Sequence, residues 1–119
     1  MRRLAVAAAV LVAALGAALA ARAGAGTVTA FRTPDAGAAC RLQGRALVCS
    51  SLGSPGSVAL RPRAGAEVVK QLPWWDASTP VVRHWSHDGI ACRLAGNVLL
   101  CTAGRTAVRV SGSGFSVAA

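Results

Sequence analysis

The sequence predicts an all-β fold: a small, disulfide-stabilised sandwich or barrel made of two repeated, hairpin-containing halves. Three observations carry that expectation. The run C-R-L-x-G-x-x-L-x-C occurs twice, at Cys40–Cys49 and at Cys92–Cys101. The four cysteines of the chain stand at the ends of those runs and nowhere else. Past residue 23, short apolar runs alternate with turn-forming clusters, and no stretch sustains the 3.6-residue period of an amphipathic helix.

The first 23 residues read differently. Met1-Arg2-Arg3 gives a basic start, Leu4 to Leu19 is an apolar run, and Ala18-Leu19-Ala20 and Ala21-Arg22-Ala23 place small residues where a signal peptidase cuts. A signal-peptide helix over residues 1–23 is therefore expected, cut after Ala20 or Ala23, with an exported domain over 24–119. The competing reading is a retained membrane anchor, but the apolar run falls short of the roughly 20 residues that cross a bilayer. The expected location is secreted or extracytoplasmic, in the cell envelope.

The repeat organises the rest. Repeat 1 covers about 28–69, a linker 70–80, and repeat 2 about 81–118. Phe31 ahead of the first run corresponds to Trp85 ahead of the second, and Gly37-Ala38-Ala39 to Gly89-Ile90-Ala91. After the second cysteine, Val58–Val69 is aligned with Ala107–Ala118. Each run reads as a hairpin turning at Gly44-Arg45 or Gly96-Asn97. Glycine at the first loop position suits a type II′ turn, and Gly-Asn suits type I′ as well.

That register sets Gln43 against Ala46, Leu42 against Leu47, Arg41 against Val48 and Cys40 against Cys49. In the second run Cys92 meets Cys101. Pairs alternate outward from the hydrogen-bonded loop pair, so both cysteine pairs fall at non-hydrogen-bonded positions, with Cα atoms about 4.5 Å apart. This lies within the range a disulfide spans, about 4.4–6.8 Å. Of three possible connectivities, the geometry selects Cys40–Cys49 and Cys92–Cys101. A four-cysteine zinc site wants two to four residues between ligands, whereas eight separate each pair here. No metal and no cofactor is expected.

Flanking strands are expected at Val28–Arg32 and Val81–Trp85 before the hairpins and at Ser57–Arg61 and Thr106–Val110 after them. Ala66–Val69 and Phe115–Val117 close the halves, with turns at Pro34–Gly37, Gly53–Gly56, Pro62–Gly65 and Ser111–Gly114. A half of about 40–45 residues buries too little surface to stand alone, so the two halves should share one core.

Thirteen Lys and Arg face four acidic residues, and Lys70 is the only lysine. A surface so basic favours anionic partners such as an envelope polymer rich in phosphate. Past the leader the arginines are scattered singly along strands apart from Arg61-Pro62-Arg63, so incidental surface charge is the better reading and no specific nucleic-acid binding is expected.

Two groups of residues could carry function. Trp74, Trp75 and Trp85 either fill the seam between the halves or form a platform that stacks on a ligand such as a sugar ring. His84-x-x-His87-Asp88 is the one cluster of acid/base residue types. Positions three apart on a strand point to opposite faces, so a two-histidine metal site is not favoured. An acid/base pair would need a third group that the sequence does not locate, and surface or structural histidines are expected. No G-x-S-x-G, H-E-x-x-H or phosphate-loop motif is present.

Phe31-Arg32-Thr33-Pro34 followed by Cys40, and Gly112-Ser113-Gly114-Phe115 after Cys101, resemble the two ends of an uncharacterised domain of small exported proteins from GC-rich, actinobacterial-type bacteria. That domain opens with F-x-T-P-S-G-N-I-x-C and closes with a second cysteine pair and G-x-G-F. The similarity covers most of residues 31–117, with Asp35–Ala39 standing in place of S-G-N-I-x. It implies export and paired cysteines, and it implies no activity.

The expectation is a non-catalytic module, not an enzyme, that binds glycan, an anionic envelope polymer or a protein. The alternatives are a secreted enzyme inhibitor acting through Ser51–Gly56 or Pro73–Pro80, and a small hydrolase using His84 or His87.

Overall fold

The computed structural model of the protein describes residues 28–118. The expected signal peptide and its two cleavage positions lie outside the described residues. Within them the chain is all-β, with ten strands and no helix. In chain order the strands are β1 Ala30–Arg32, β2 Ala38–Gln43, β3 Ala46–Ser51, β4 Ser57–Arg61 and β5 Gly65–Val69. The second half supplies β6 His84–His87, β7 Ile90–Ala95, β8 Val98–Ala103, β9 Thr106–Ser111 and β10 Gly114–Ala118. Each half is one antiparallel meander of five strands, in order β1-β2-β3-β4-β5 and β6-β7-β8-β9-β10. The two sheets stay separate and pack face to face, β3 meeting β9 and β10, and β4 meeting β8. Of the two architectures expected, the fold is the sandwich.

Both hairpins have the register that the repeat predicts: Gln43 pairs with Ala46 and Cys40 with Cys49, Ala95 with Val98 and Cys92 with Cys101. Gly44 and Gly96 take φ of 61° and 60°. Arg45 and Asn97 are not among the positive-φ residues, which is the type II′ pattern, so the type I′ option for Gly96-Asn97 is not used. The disulfides Cys40–Cys49 and Cys92–Cys101 bridge Cα atoms 4.0 and 4.1 Å apart.

Cross-strand partners share a face, and faces alternate along each strand. Phe31, Cys40, Leu47, Cys49, Val58 and Leu60 of the first sheet thus face Trp85, Ile90, Cys92, Leu99, Cys101, Val108 and Val110 of the second in one buried core. The sulfurs of Cys40, Cys49 and Cys101 lie within 4.8 Å of one another, so the two disulfides pack against each other at its centre. All four cysteines are oxidised, which makes this cluster a pair of bridges in contact, not a set of thiolate ligands. Phe31 and Trp85, matched in the repeat, meet with ring centroids 5.2 Å apart.

Turns of one half seat on turns of the other. The Asn97 side-chain oxygen accepts the Asp35 backbone N–H at 3.0 Å. Arg45 of the first hairpin turn meets Asp88, in the turn after β6, at 3.5 Å. Ser51 Oγ donates to the Ser111 carbonyl at 2.6 Å. Within the Phe31–Pro34 motif, buried Thr33 donates to Asp35 Oδ1 at 2.7 Å, and Gly37 N donates to the same oxygen at 2.9 Å.

Two elements differ from the sequence expectation. The strand before the second hairpin is His84–His87, not Val81–Trp85. Asp88 and Gly89 have φ of 49° and 82°, a type I′ turn, and that turn pairs His87 with Ile90 and carries the strand past Trp85. Val58 corresponds to Val108, not to Ala107. Val58 pairs with Cys49 and Val108 with Cys101, because a two-residue turn at Gly104-Arg105 replaces the longer loop of the first half.

Candidate functional site

The sandwich has two outer faces, equivalent by the repeat, and they are treated unequally. On the first sheet, Ala39, Val48, Ser50, Ser57 and Ala59 point away from the disulfide core, yet all are at most 4% exposed. Val69 packs against Val48 and Ala59, and the linker runs across the outer side chains of this face. It leaves β5 at one edge, and the Pro80 carbonyl accepts the Arg32 N–H at the other edge, 2.9 Å away. Between these points the Arg41 guanidinium lies over the Trp74 ring, 4.7 Å from its centroid. Trp75 packs edge-on against Trp74, and its Nε1–H donates to the Ala36 carbonyl at 2.8 Å. With its amide oriented to suit its neighbours, Gln43 accepts from Gln71 Nε2 at 2.6 Å and from Arg41 at 2.8 and 3.0 Å. Arg32 Nε donates to the Thr79 carbonyl at 2.9 Å.

The sequence offered two readings of the tryptophans, and the structure divides them. Trp85 is 4% exposed, with Nε1–H donated to the Val28 carbonyl at 2.6 Å. It sits in the seam and offers no platform, which corrects its place in the stacking set. Trp74 and Trp75 are half-buried, and they belong to the strap over the first sheet. Trp74 Nε1–H is buried with no acceptor among the described residues.

On the second sheet the same positions are open. Ala91, Arg93, Thr102, Ala107 and Arg109 are exposed, and Leu100 is half-buried. Two shallow depressions of about 380 and 270 Å³ lie there and share Leu100 and Thr102. His84 and Arg93 border the first and Arg109 the second. His84 pairs with Arg93 in register and shares this face. Among the described residues, Arg93 and Arg109 make no ion pair or side-chain hydrogen bond.

His84 faces out, whereas His87 lies on the Trp85 side of β6, with ring centroids 6.1 Å apart. Asp88 engages Arg45. A further cleft, lined by Arg45, Arg61 and Arg63 with Pro62 and Ala64, is basic as well. Two of its three guanidiniums already have partners, Asp88 for Arg45 and Glu67 for Arg61. The Asp35 carboxyl is held below its ordinary value by the hydrogen bonds from Thr33 and Gly37.

The open face was not read from the sequence. A signal for it exists in the repeat: aligned through the hairpins, Ala59 of the covered face becomes Arg109, and Ala30 becomes His84. Comparison of the chain with protein families, with curated proteins and with solved structures gives no match.

Proposed function

We propose that the protein is an exported, non-enzymatic module of the cell envelope that holds its ligand on the open outer face of the second sheet. One observation carries this reading. Two faces made from the same repeat have diverged: one is buried beneath Val69 and the protein's own linker, and the other presents an apolar floor with Arg93 and Arg109 unpaired among the described residues. Exposed apolar ground rimmed by polar groups marks a binding surface more often than idle surface.

Export is supported by the leader pattern of residues 1–23 and by two disulfides, which persist in oxidising compartments. The motifs shared with the small exported domain agree with it. The placement of His84 and His87 on opposite sides of β6, with Asp88 engaged by Arg45, supports a binding role over hydrolysis.

The test is co-sedimentation of the exported protein with purified cell-envelope fragments. Ala107→Trp places bulk on the open face, and Leu72→Ser alters the linker where its side chain is 84% exposed. Retention of the wild type, at least tenfold weaker for Ala107→Trp and unchanged for Leu72→Ser, is the expected result. Equal retention of all three proteins contradicts the reading.

A further inference from the structure

We infer that the ligand of this face is an extended polyanion of phosphodiester type, clamped by Arg93 and Arg109 across the Leu100 floor; the inference rests on the binding reading above and specifies its chemistry. The comparison between the repeats supplies the argument. In the first half every outer-face arginine is already engaged. Arg32 donates to the carbonyls of Thr79, Thr33 and Pro34. Arg41 is held by Trp74 and Gln43, and Arg61 by Glu67. In the second half Arg93 and Arg109 stand on the equivalent face with no such partner among the described residues. The carboxylate of the first face is gone as well, because Ser116 stands where Glu67 does.

The cations are of one kind. Lys70 lies in the linker, so the second half carries arginine alone. A guanidinium presents a planar fork that bonds two oxygens of a phosphate or carboxylate at once, and it sheds water more readily than an ammonium. Arg93 and Arg109 are on β7 and β9 with β8 between them, and Leu100 pairs with both. Neighbouring strands lie about 4.8 Å apart, so the two Cα positions are separated by roughly 10 Å across the sheet. That separation suits successive charges of one chain better than a single small anion. The floor between them is shallow and weakly apolar, and no tryptophan, tyrosine or phenylalanine side chain is exposed on it to anchor in a membrane. Ala91, Thr102 and Ala107 leave space for an unbranched polyol segment between the charges.

The test is isothermal titration of the exported protein with synthetic poly(glycerol phosphate). Poly-glutamate, vesicles of anionic phospholipid and free inorganic phosphate serve as separate arms. The double variant Arg93→Gln/Arg109→Gln is compared with Arg63→Gln/Arg105→Gln, which removes the same formal charge from turns. Both pairs are surface positions, and near-ultraviolet circular dichroism confirms that the variants fold. The expected result is binding of poly(glycerol phosphate) that weakens at least tenfold in Arg93→Gln/Arg109→Gln and at most about twofold in the turn variant. Arg93→Lys/Arg109→Lys should recover only part of the loss. Equal weakening by both glutamine pairs overturns the proposal, because it signals diffuse attraction. Tighter binding of poly-glutamate, or binding to vesicles or free phosphate alone, overturns the phosphodiester assignment. If envelope fragments still retain the wild type but not Ala107→Trp while poly(glycerol phosphate) does not bind, only the ligand class fails. Loss of that difference removes the binding face itself.

Discussion

Gly37 and Gly112 meet backbone to backbone: a Cβ placed on Gly37 would lie 2.7 Å from the Gly112 Cα. Gly53 closes the same junction, where a Cβ would lie 2.5 Å from the Gly112 carbonyl oxygen. The turn of one half is thereby seated between two turns of the other. The neighbours are backbone atoms, so they cannot swing aside as a flexible side chain would.

Gly37→Ala and Gly53→Ala should each destabilise by about 1–3 kcal/mol, the usual cost of overpacking a filled site. Gly44→Ala is a useful contrast. Its φ is 61° and nothing lies within 4 Å of a Cβ there, so only the backbone conformation opposes the change. A loss of about 1–2 kcal/mol is expected. Urea denaturation distinguishes the mechanisms when a second change, Gly112→Ala, is added. It should couple strongly to Gly37→Ala and not to Gly44→Ala.

Each disulfide closes a loop of about ten residues, which on the chain-entropy model stabilises by roughly 2–3 kcal/mol. Replacing Cys40 and Cys49 together by Ala, or Cys92 and Cys101 together, should lower stability by about that amount plus a packing loss at the touching bridges. Because the two bridges are in contact, the fourfold variant should depart from the sum of the two double variants. Additive losses by denaturation would show that the bridges act independently.

Trp74 Nε1–H, in the linker, is a donor with no acceptor among the described residues, and this gives opposite signs to two substitutions at one position. Trp74→Ala removes the ring that lies over Arg41 and packs edge-on against Trp75, so thermal stability should fall. Trp74→Phe keeps a ring over the guanidinium and deletes a buried N–H without an acceptor, a group that costs about 1–3 kcal/mol when orphaned. Its melting temperature should equal or exceed that of the wild type. A drop as large as that of Trp74→Ala would show that ring size, not the orphaned donor, decides.

Asp35 sets a pH dependence. Its folded carboxyl titrates below the ordinary 3.8 because Thr33 and Gly37 hydrogen-bond the ionised form. A depressed folded value means that the stabilisation is present above the unfolded value and is lost as pH falls through the folded one. The melting temperature should therefore decline as pH drops below about 4. Asp35→Asn should show a lower melting temperature at neutral pH and a shallower acid decline. Identical slopes for the two proteins would remove Asp35 from the acid response.

The hairpins, their register and the sulfur pairing were legible because the ten-residue pattern fixes a two-residue turn, and the turn fixes everything out to the cysteines. The burial of Trp85 was half legible, since it corresponds to Phe31, yet a tryptophan suits a seam as well as a surface. The strand at His84–His87 was misplaced because Val81-Val82 looked more strand-like than His-Trp-Ser-His. The Asp88-Gly89 pair, a hairpin signal in its own right, held the correct boundary. The shift between Val58 and Val108 came from the loop after the second cysteine, which is shorter by two residues in the later half where the sequence suggests three. The unequal outer faces were not legible from local pattern at all. They depend on the path the linker takes after leaving β5, a property of the packed sandwich. Only Ala59 against Arg109 and Ala30 against His84 hinted at it.

The most direct test of the account is a nuclear magnetic resonance titration of the isotopically labelled protein with poly(glycerol phosphate). Amide shifts should concentrate at Ala91, Arg93, Leu100, Thr102 and Arg109, and leave Ala39, Arg41, Val48, Ser50 and Ala59 unmoved beneath the linker. Perturbations centred on the linker and first sheet, or spread evenly over both halves, would contradict it.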